Sequence, residues 1–245
     1  MIYLLFIIGT LFGSFFLVVG TRSLAGEDYI VKRSHCDYCM TELKWFNLIP
    51  VISFLLQGCK CNYCKKKLNY MYPLTEIATG LLFAFSYYTY GSGYELIISL
   101  ILSSLLVLIC ITDFKEMIIL DTPLIVSIIL IILCMLYFNS ITYLLTQILS
   151  GLFMFCFFLL IKKVGDHAYK RESMGGGDIK FAFIIGLVLG VEVALYAVIL
   201  SAFLALPTSV ACVMITNNKE VPYGPFLAGA LLLLYLNLDK IPLLF

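Results

Sequence analysis

A chain of 245 residues, 62% hydrophobic and only 13% charged, with a mean hydropathy of +1.04, excludes an ordinary soluble globular domain and reads as a polytopic membrane protein. The net charge of +1 says little by itself, and nothing in it asks for a nucleic-acid partner.

A spanning helix needs about 20 apolar residues. Such runs fall near 2–20, 72–90, 95–112, 119–138, 141–161, 179–192, 193–214 and 224–238, which predicts an all-α membrane protein of about eight transmembrane helices. The first run lacks a basic start and a clear cleavage site and so reads as an anchor rather than a removable signal. Lys and Arg set the orientation. With the amino terminus outside, eight spans put 15 of the 16 basic residues, Lys219 among them, on the cytoplasmic side and leave Lys240 outside. Segment 21–71 is then cytosolic, and residues 72–245 form a seven-helix core.

Segment 21–71 holds Cys36-Asp37-Tyr38-Cys39 and Cys61-Asn62-Tyr63-Cys64, two C-x-x-C pairs separated by 21 residues. Each pair brings two thiolates within reach of one ion, a strong pattern for a closed tetrahedral zinc site. In a reducing cytosol the pattern favours metal over two disulfides or four idle thiols. A segment this small would gain its fold from the ion. Cys59 and His35 lie nearby but do not fit the paired spacing. Cys110, Cys134, Cys156 and Cys212 sit singly in apolar runs and read as small buried hydrophobes. Lys65, Lys66 and Lys67 suit either anionic lipid headgroups or a topogenic charge before the second span.

Two acids stand out in the core. Asp113 closes one apolar run, and Asp178 opens another directly after Gly175, Gly176 and Gly177. The charge count puts both on the cytoplasmic face. An ionised acid at the mouth of a membrane helix is expensive unless it has a partner or a task. A proton-sharing pair is the expectation, in which one carboxylate takes a proton from water and the other, protonated, polarises a peptide carbonyl. Three residues without side chains before Asp178 would let an extended peptide come close to the backbone. Asp178 is also a natural helix cap, as is Asp121 before Thr122-Pro123, and for Asp121 a supporting or capping role is expected. Glu76 lies near the same face and is a candidate supporting residue.

Several blocks together carry a resemblance. Gly13-Ser14-Phe15 with Arg22, then Arg33-Ser34, Trp45 and Ile49-Pro50-Val51, then Tyr72-Pro73-Leu74 with Glu76, occur in that order. Asp113 with Asp121 eight residues on, Gly175-Gly176-Gly177-Asp178-Ile179-Lys180 and Pro222-Tyr223-Gly224-Pro225-Phe226 complete the series. In this the chain resembles the type IV prepilin peptidases, membrane aspartic proteases that trim and methylate pilin-like precursors. The resemblance implies Asp113 and Asp178 as the catalytic pair, with Gly175, Gly176, Gly177, Lys180, Asp121 and Glu76 in supporting or substrate-binding places. It further implies S-adenosylmethionine as methyl donor, prepilins and pilin-like precursors as substrates, and the bacterial cytoplasmic membrane, with its lipid, as the setting. No glycine-rich strand-to-helix signature for that donor is visible. Leu17 stands where the family usually has Asn, Asp37 and Leu120 where it has Pro, and Cys59 where Gly is expected. The alternatives are a peptidase without methyltransferase activity, a proton-coupled transporter with acids near the bilayer midplane, and a zinc-bearing scaffold indifferent to loss of either acid.

Overall fold

In the computed structural model, residues 1–28, 33–36, 38–170, 172–216 and 221–240 are described. Asp37, and the basic residues Lys32, Arg171 and Lys219 of the charge count, lie outside the described residues. The described residues form eight α-helices: α1 (Ile2–Leu24), α2 (Ile52–Leu56), α3 (Met71–Tyr90), α4 (Tyr94–Glu116), α5 (Asp121–Phe138), α6 (Ile141–Tyr169), α7 (Gly176–Thr216) and α8 (Gly224–Tyr235). Among them there is no strand, only the isolated bridges His35–Glu42 and Lys60–Lys67. Helices α1, α4, α5, α6 and α7 are long and apolar enough to cross a bilayer. The protein is therefore a helical integral membrane protein. Backbone polarity dictates this form, because a helix satisfies its own N–H and C=O groups where no water can.

The chain divides into two compact units, Met1–Ser92 and Gly93–Phe245. In the first, α1 packs along α3. Gly9 and Gly13, one turn apart, make this possible. A Cβ on Gly9 would lie 2.8 Å from the Gly80 Cα, and one on Gly13 would lie 2.7 Å from the Thr75 carbonyl. Without a hydrophobic force between helices in lipid, such small-residue faces let backbones touch and gain dispersion. Any side chain at Gly13 would push the pair apart. Leu17, at the family's Asn position, is buried here with Phe16 and Phe83. The Thr79 hydroxyl bonds back to the Thr75 carbonyl at 2.7 Å and Ser86 to Leu82 at 2.9 Å, so neither buried oxygen is orphaned.

In the second unit α4 packs on α5 and α8, and α7 packs on α6 and α8. With α5 touching both as well, helix α8 is thus the main neighbour that α4 and α7 share. Its Leu227, Ala230 and Leu231 are buried, as are Leu102 and Leu105 of α4 and Phe181, Ile184 and Ile185 of α7. Helix α7 is interrupted at Gly190, where φ 73° and ψ 172° break the hydrogen-bond ladder in a conformation that glycine tolerates best. Large apolar side chains such as Leu133, Tyr137, Phe153, Leu160 and Phe203 face outward, as contact with acyl chains requires. Cys134 is buried, but Cys156 is exposed on α6. The burial expected for Cys156 from its apolar surroundings does not hold, because a span apolar all round has a lipid face too.

Candidate functional site

Asp113 lies in the last turn of α4, which stops when Met117 enters the left-handed region (φ 54°) and its N–H closes on the Asp113 carbonyl at 3.0 Å. The Asp113 side chain is 5% exposed, and its Oδ2 accepts the Gly224 N–H at 2.9 Å. That donor comes from the first residue of α8, 111 positions away. A carboxylate buried this deeply is costly, and one amide does not saturate its two oxygens.

Asp178 sits in the first turn of α7, where the helix macrodipole favours negative charge and the Gly175 N–H donates to its carboxylate. It is half-buried. Asp113 and Asp178 are close enough for the charge of one to act on the other. Ile119, in the link between α4 and α5, helps set this meeting. A Cβ on Gly177 would come 2.7 Å from the Ile119 Cβ, and one on Gly224 would come 3.1 Å from the Ile119 Cδ1. The residue before Asp178 and the residue that bonds Asp113 therefore both pack on one side chain. The glycine run is not uniform, since a Cβ on Gly176 would meet nothing within 4 Å. A small, mostly apolar recess lies between α4 and α5, bounded by Leu105, Ile109, Thr112, Ile119 and Leu124.

Asp121 begins α5, and its Oδ1 receives the Lys180 Nζ at 2.6 Å with both side chains about half exposed. This contact joins the first turn of α5 to the first turns of α7. Glu76 belongs to the first unit, is 5% exposed, and accepts the Val51 N–H at 2.7 Å. Val51 is a β-branched residue at φ 60°, a strained conformation that this bond helps to hold.

The two C-x-x-C segments fold alike. In the first, the Met40 N–H bonds the Cys36 carbonyl and the Cys36 N–H bonds the Thr41 carbonyl. In the second, Lys65 bonds Cys61 and Cys61 bonds Lys66 in the same pattern. Met40 and Lys65 both adopt left-handed φ, 57° and 59°. Lys66 stands 4.8 Å from the Tyr38 ring centroid and joins one knuckle to the other. The sulfurs of Cys36, Cys39, Cys61 and Cys64 all lie within 4.8 Å of one another, with Cys36 and Cys64 at 3.9 Å. Tetrahedral ligation at about 2.3 Å per Zn–S bond places sulfurs about 3.8 Å apart, so the donor set fits a metal ion. Cys59 and His35 stay outside the four. Cys59 has φ 60°, which accounts for the glycine expected there.

The structure thus gathers Asp113, Asp178, Gly175, Gly176, Gly177, Asp121 and Lys180 in one unit, and the four cysteines and Glu76 in the other. Sequence reasoning missed Ile119, the Gly224 amide and the hydrogen bond between Tyr223 and Ser201. The Pro-Tyr-Gly-Pro turn was the available signal, but a backbone donor leaves no side chain to read.

The family of bacterial peptidase A24 N-terminal domains matches residues 7–90, and the type IV leader peptidase family matches residues 100–210. A prepilin leader peptidase/N-methyltransferase of Bacillus subtilis (strain 168) is 31% identical over 244 residues, covering 98% of this chain and 96% of that one. One of Myxococcus xanthus (strain DK1622) is 29% identical over 76% of this chain and 55% of its own length. One of Klebsiella pneumoniae is 27% identical over 76% of this chain and 84% of its own. No solved structure matches.

Proposed function

Since the chain belongs to the type IV leader peptidase family, we propose that it cleaves the short basic leader from type IV prepilins and pilin-like precursors at the cytoplasmic membrane face and N-methylates the new amino terminus. Asp113 and Asp178 are the working pair. The observation that carries this reading is their convergence from two distant helices, α4 and α7, around Ile119 and α8. Two carboxylates held near each other cannot both ionise, so they share a proton and titrate together. One takes a proton from water while the other donates to the scissile carbonyl, which is the chemistry peptide hydrolysis needs. Both acids lie in terminal turns, one near the end of α4 and one at the start of α7, which favours an interfacial hydrolase over a transporter with acids at the midplane. A precursor with a basic leader and a long apolar segment presents its cleavage point at that depth.

Eight spans with the amino terminus outside remain the best topology. At 1.5 Å per residue, α7 would run about 60 Å, twice the roughly 30 Å hydrocarbon core, and its break at Gly190 supports counting it as two spans. Zinc would be held by Cys36, Cys39, Cys61 and Cys64, where it would join the two knuckles and take no part in hydrolysis. S-adenosylmethionine supplies the methyl group. The described residues include no strand and hence no strand-to-helix glycine turn for that donor, so no residue is assigned to it.

Co-expression with a pilin-like precursor tests the reading. A leader-sized mobility shift is expected with the native chain and not with Asp113→Ala or Asp178→Ala. Normal processing by both variants would refute it. Mass spectrometry of the mature terminus decides methylation, and an unmethylated product from active enzyme would leave a peptidase only.

A further inference from the structure

The 222–225 turn reaches both halves of the site. Gly224 gives its N–H to Asp113 Oδ2 at 2.9 Å. A Cβ there would lie 2.9 Å from that same oxygen and 2.9 Å from the Ile109 Cγ2, so the close approach needs glycine. Pro225 follows at the start of α8, where its fixed φ suits a helix and its missing N–H costs nothing. The preceding residue, Tyr223, has its hydroxyl 2.5 Å from that of Ser201 on α7 and lies within electrostatic reach of Asp178. Ser201 also bonds the Val198 carbonyl at 2.7 Å. A serine has a single proton to give, and here it goes to that carbonyl, so Tyr223 is the donor to Ser201.

We propose that this turn is a positioning device for the dyad: the Gly224 amide fixes the Asp113 carboxylate through Oδ2 and leaves Oδ1 as the working oxygen, while the Tyr223–Ser201 bond anchors the turn to α7. The inference rests on the catalytic reading of Asp113 given above. A carboxylate free to rotate would present either oxygen at variable distance from water and from Asp178. Held by a backbone group between two prolines, it presents one. Tyr223 and Ser201 are positioning residues, since they act through the turn. The bond also ties the turn to the part of α7 beyond the Gly190 break, so a shift in that segment would be felt at Asp113.

The test uses the full-length purified chain in detergent or vesicles with a pilin-like precursor, measuring kcat, KM, the pH profile of kcat and the thermal midpoint. Gly224→Ala is expected to lower kcat by about 10- to 100-fold, the range for losing a charge-assisted hydrogen bond, with KM within about twofold and the pH profile displaced. Gly229→Ala, on the same helix, is the control, because a Cβ there meets nothing within 4 Å, and it should change neither. Tyr223→Phe removes only the donor and leaves Ser201 satisfied by Val198. It should lower kcat by about 2- to 10-fold and displace the pH profile, with at most a small fall in the midpoint. Ser201→Ala should do the same, and the double variant should be no worse than either single one. If Gly224→Ala fails to fold, Tyr223→Phe decides alone. Gly224→Ala behaving like Gly229→Ala, or Tyr223→Phe with native kcat and pH profile, would overturn the proposal. Activity retained by Asp113→Ala would instead bring down the dyad reading.

Discussion

Two adjacent glycines should respond in opposite ways. In Gly177→Ala the new Cβ would stand 2.7 Å from the Ile119 Cβ, against an ordinary contact of about 3.4 Å or more, and the obstacle is the root of a side chain that cannot rotate away. Either α7 or the link carrying Ile119 must move by about 0.7 Å or more, and overpacking of this kind costs about 1–3 kcal/mol. Because Ile119 also borders Gly224, the displacement is passed to the amide that holds Asp113. Turnover should fall and the thermal midpoint should drop. In Gly176→Ala the Cβ meets open space, and replacing a helical glycine stabilises by about 0.4–1 kcal/mol. Its midpoint should hold or rise, and any loss of activity should lie in KM, where a precursor passes the exposed backbone. Steady-state cleavage and thermal unfolding of the two purified variants are the assay. Equal destabilisation by both, or no effect of Gly177→Ala, would refute the packing argument.

Cys36→Ser or Cys64→Ser should take metal content from about one zinc per chain to near zero and expose segment 21–71 to protease. Protons compete with the ion for the same four sulfurs, so metal should be retained at neutral pH and released progressively on acidification, as read by a zinc dye during titration. Zinc content that does not change with any of these cysteines would refute the site. The Asp121–Lys180 pair is half exposed, so Asp121→Asn should cost at most about 1 kcal/mol. The swap of Asp121→Lys with Lys180→Asp should restore cleavage lost by either alone, and a swap worse than both singles would show that the charges serve something other than each other. Glu76→Ala leaves the Val51 N–H unpaired at a strained residue and should cost about 1–3 kcal/mol, seen as faster amide exchange at Val51. Glu76→Gln, which keeps an acceptor, should be milder.

The helical, membrane-spanning character of the chain was legible because apolar run length is a local signal. So was the clustering of the four thiols, which their paired spacing anticipates. Pairings were not. The second long helix was grouped with the core, yet it packs along α1, through small residues whose meaning depends on which helix faces them. Lys180 and Asp121 are 59 residues apart, and nothing in either flank names the other. Asp121 reads from its flank as a supporting or capping residue, and its contact with Lys180 is invisible there. The apolar runs 179–192 and 193–214 part beside Glu192, and the backbone break falls two residues earlier, at Gly190, where a φ value reveals it.

The claim on which the account depends is that Asp113 and Asp178 act as one proton-sharing unit, and side-chain coupling in kinetics measures it most directly. Asp113→Asn, Asp178→Asn and the double variant should be compared on one precursor, with folding verified for each. Each single variant should lose at least about 1,000-fold in kcat and the double should lose no more, because residues that act as a unit are not additive. Losses that multiply in the double variant, or a single variant that cleaves at the native rate, would contradict it.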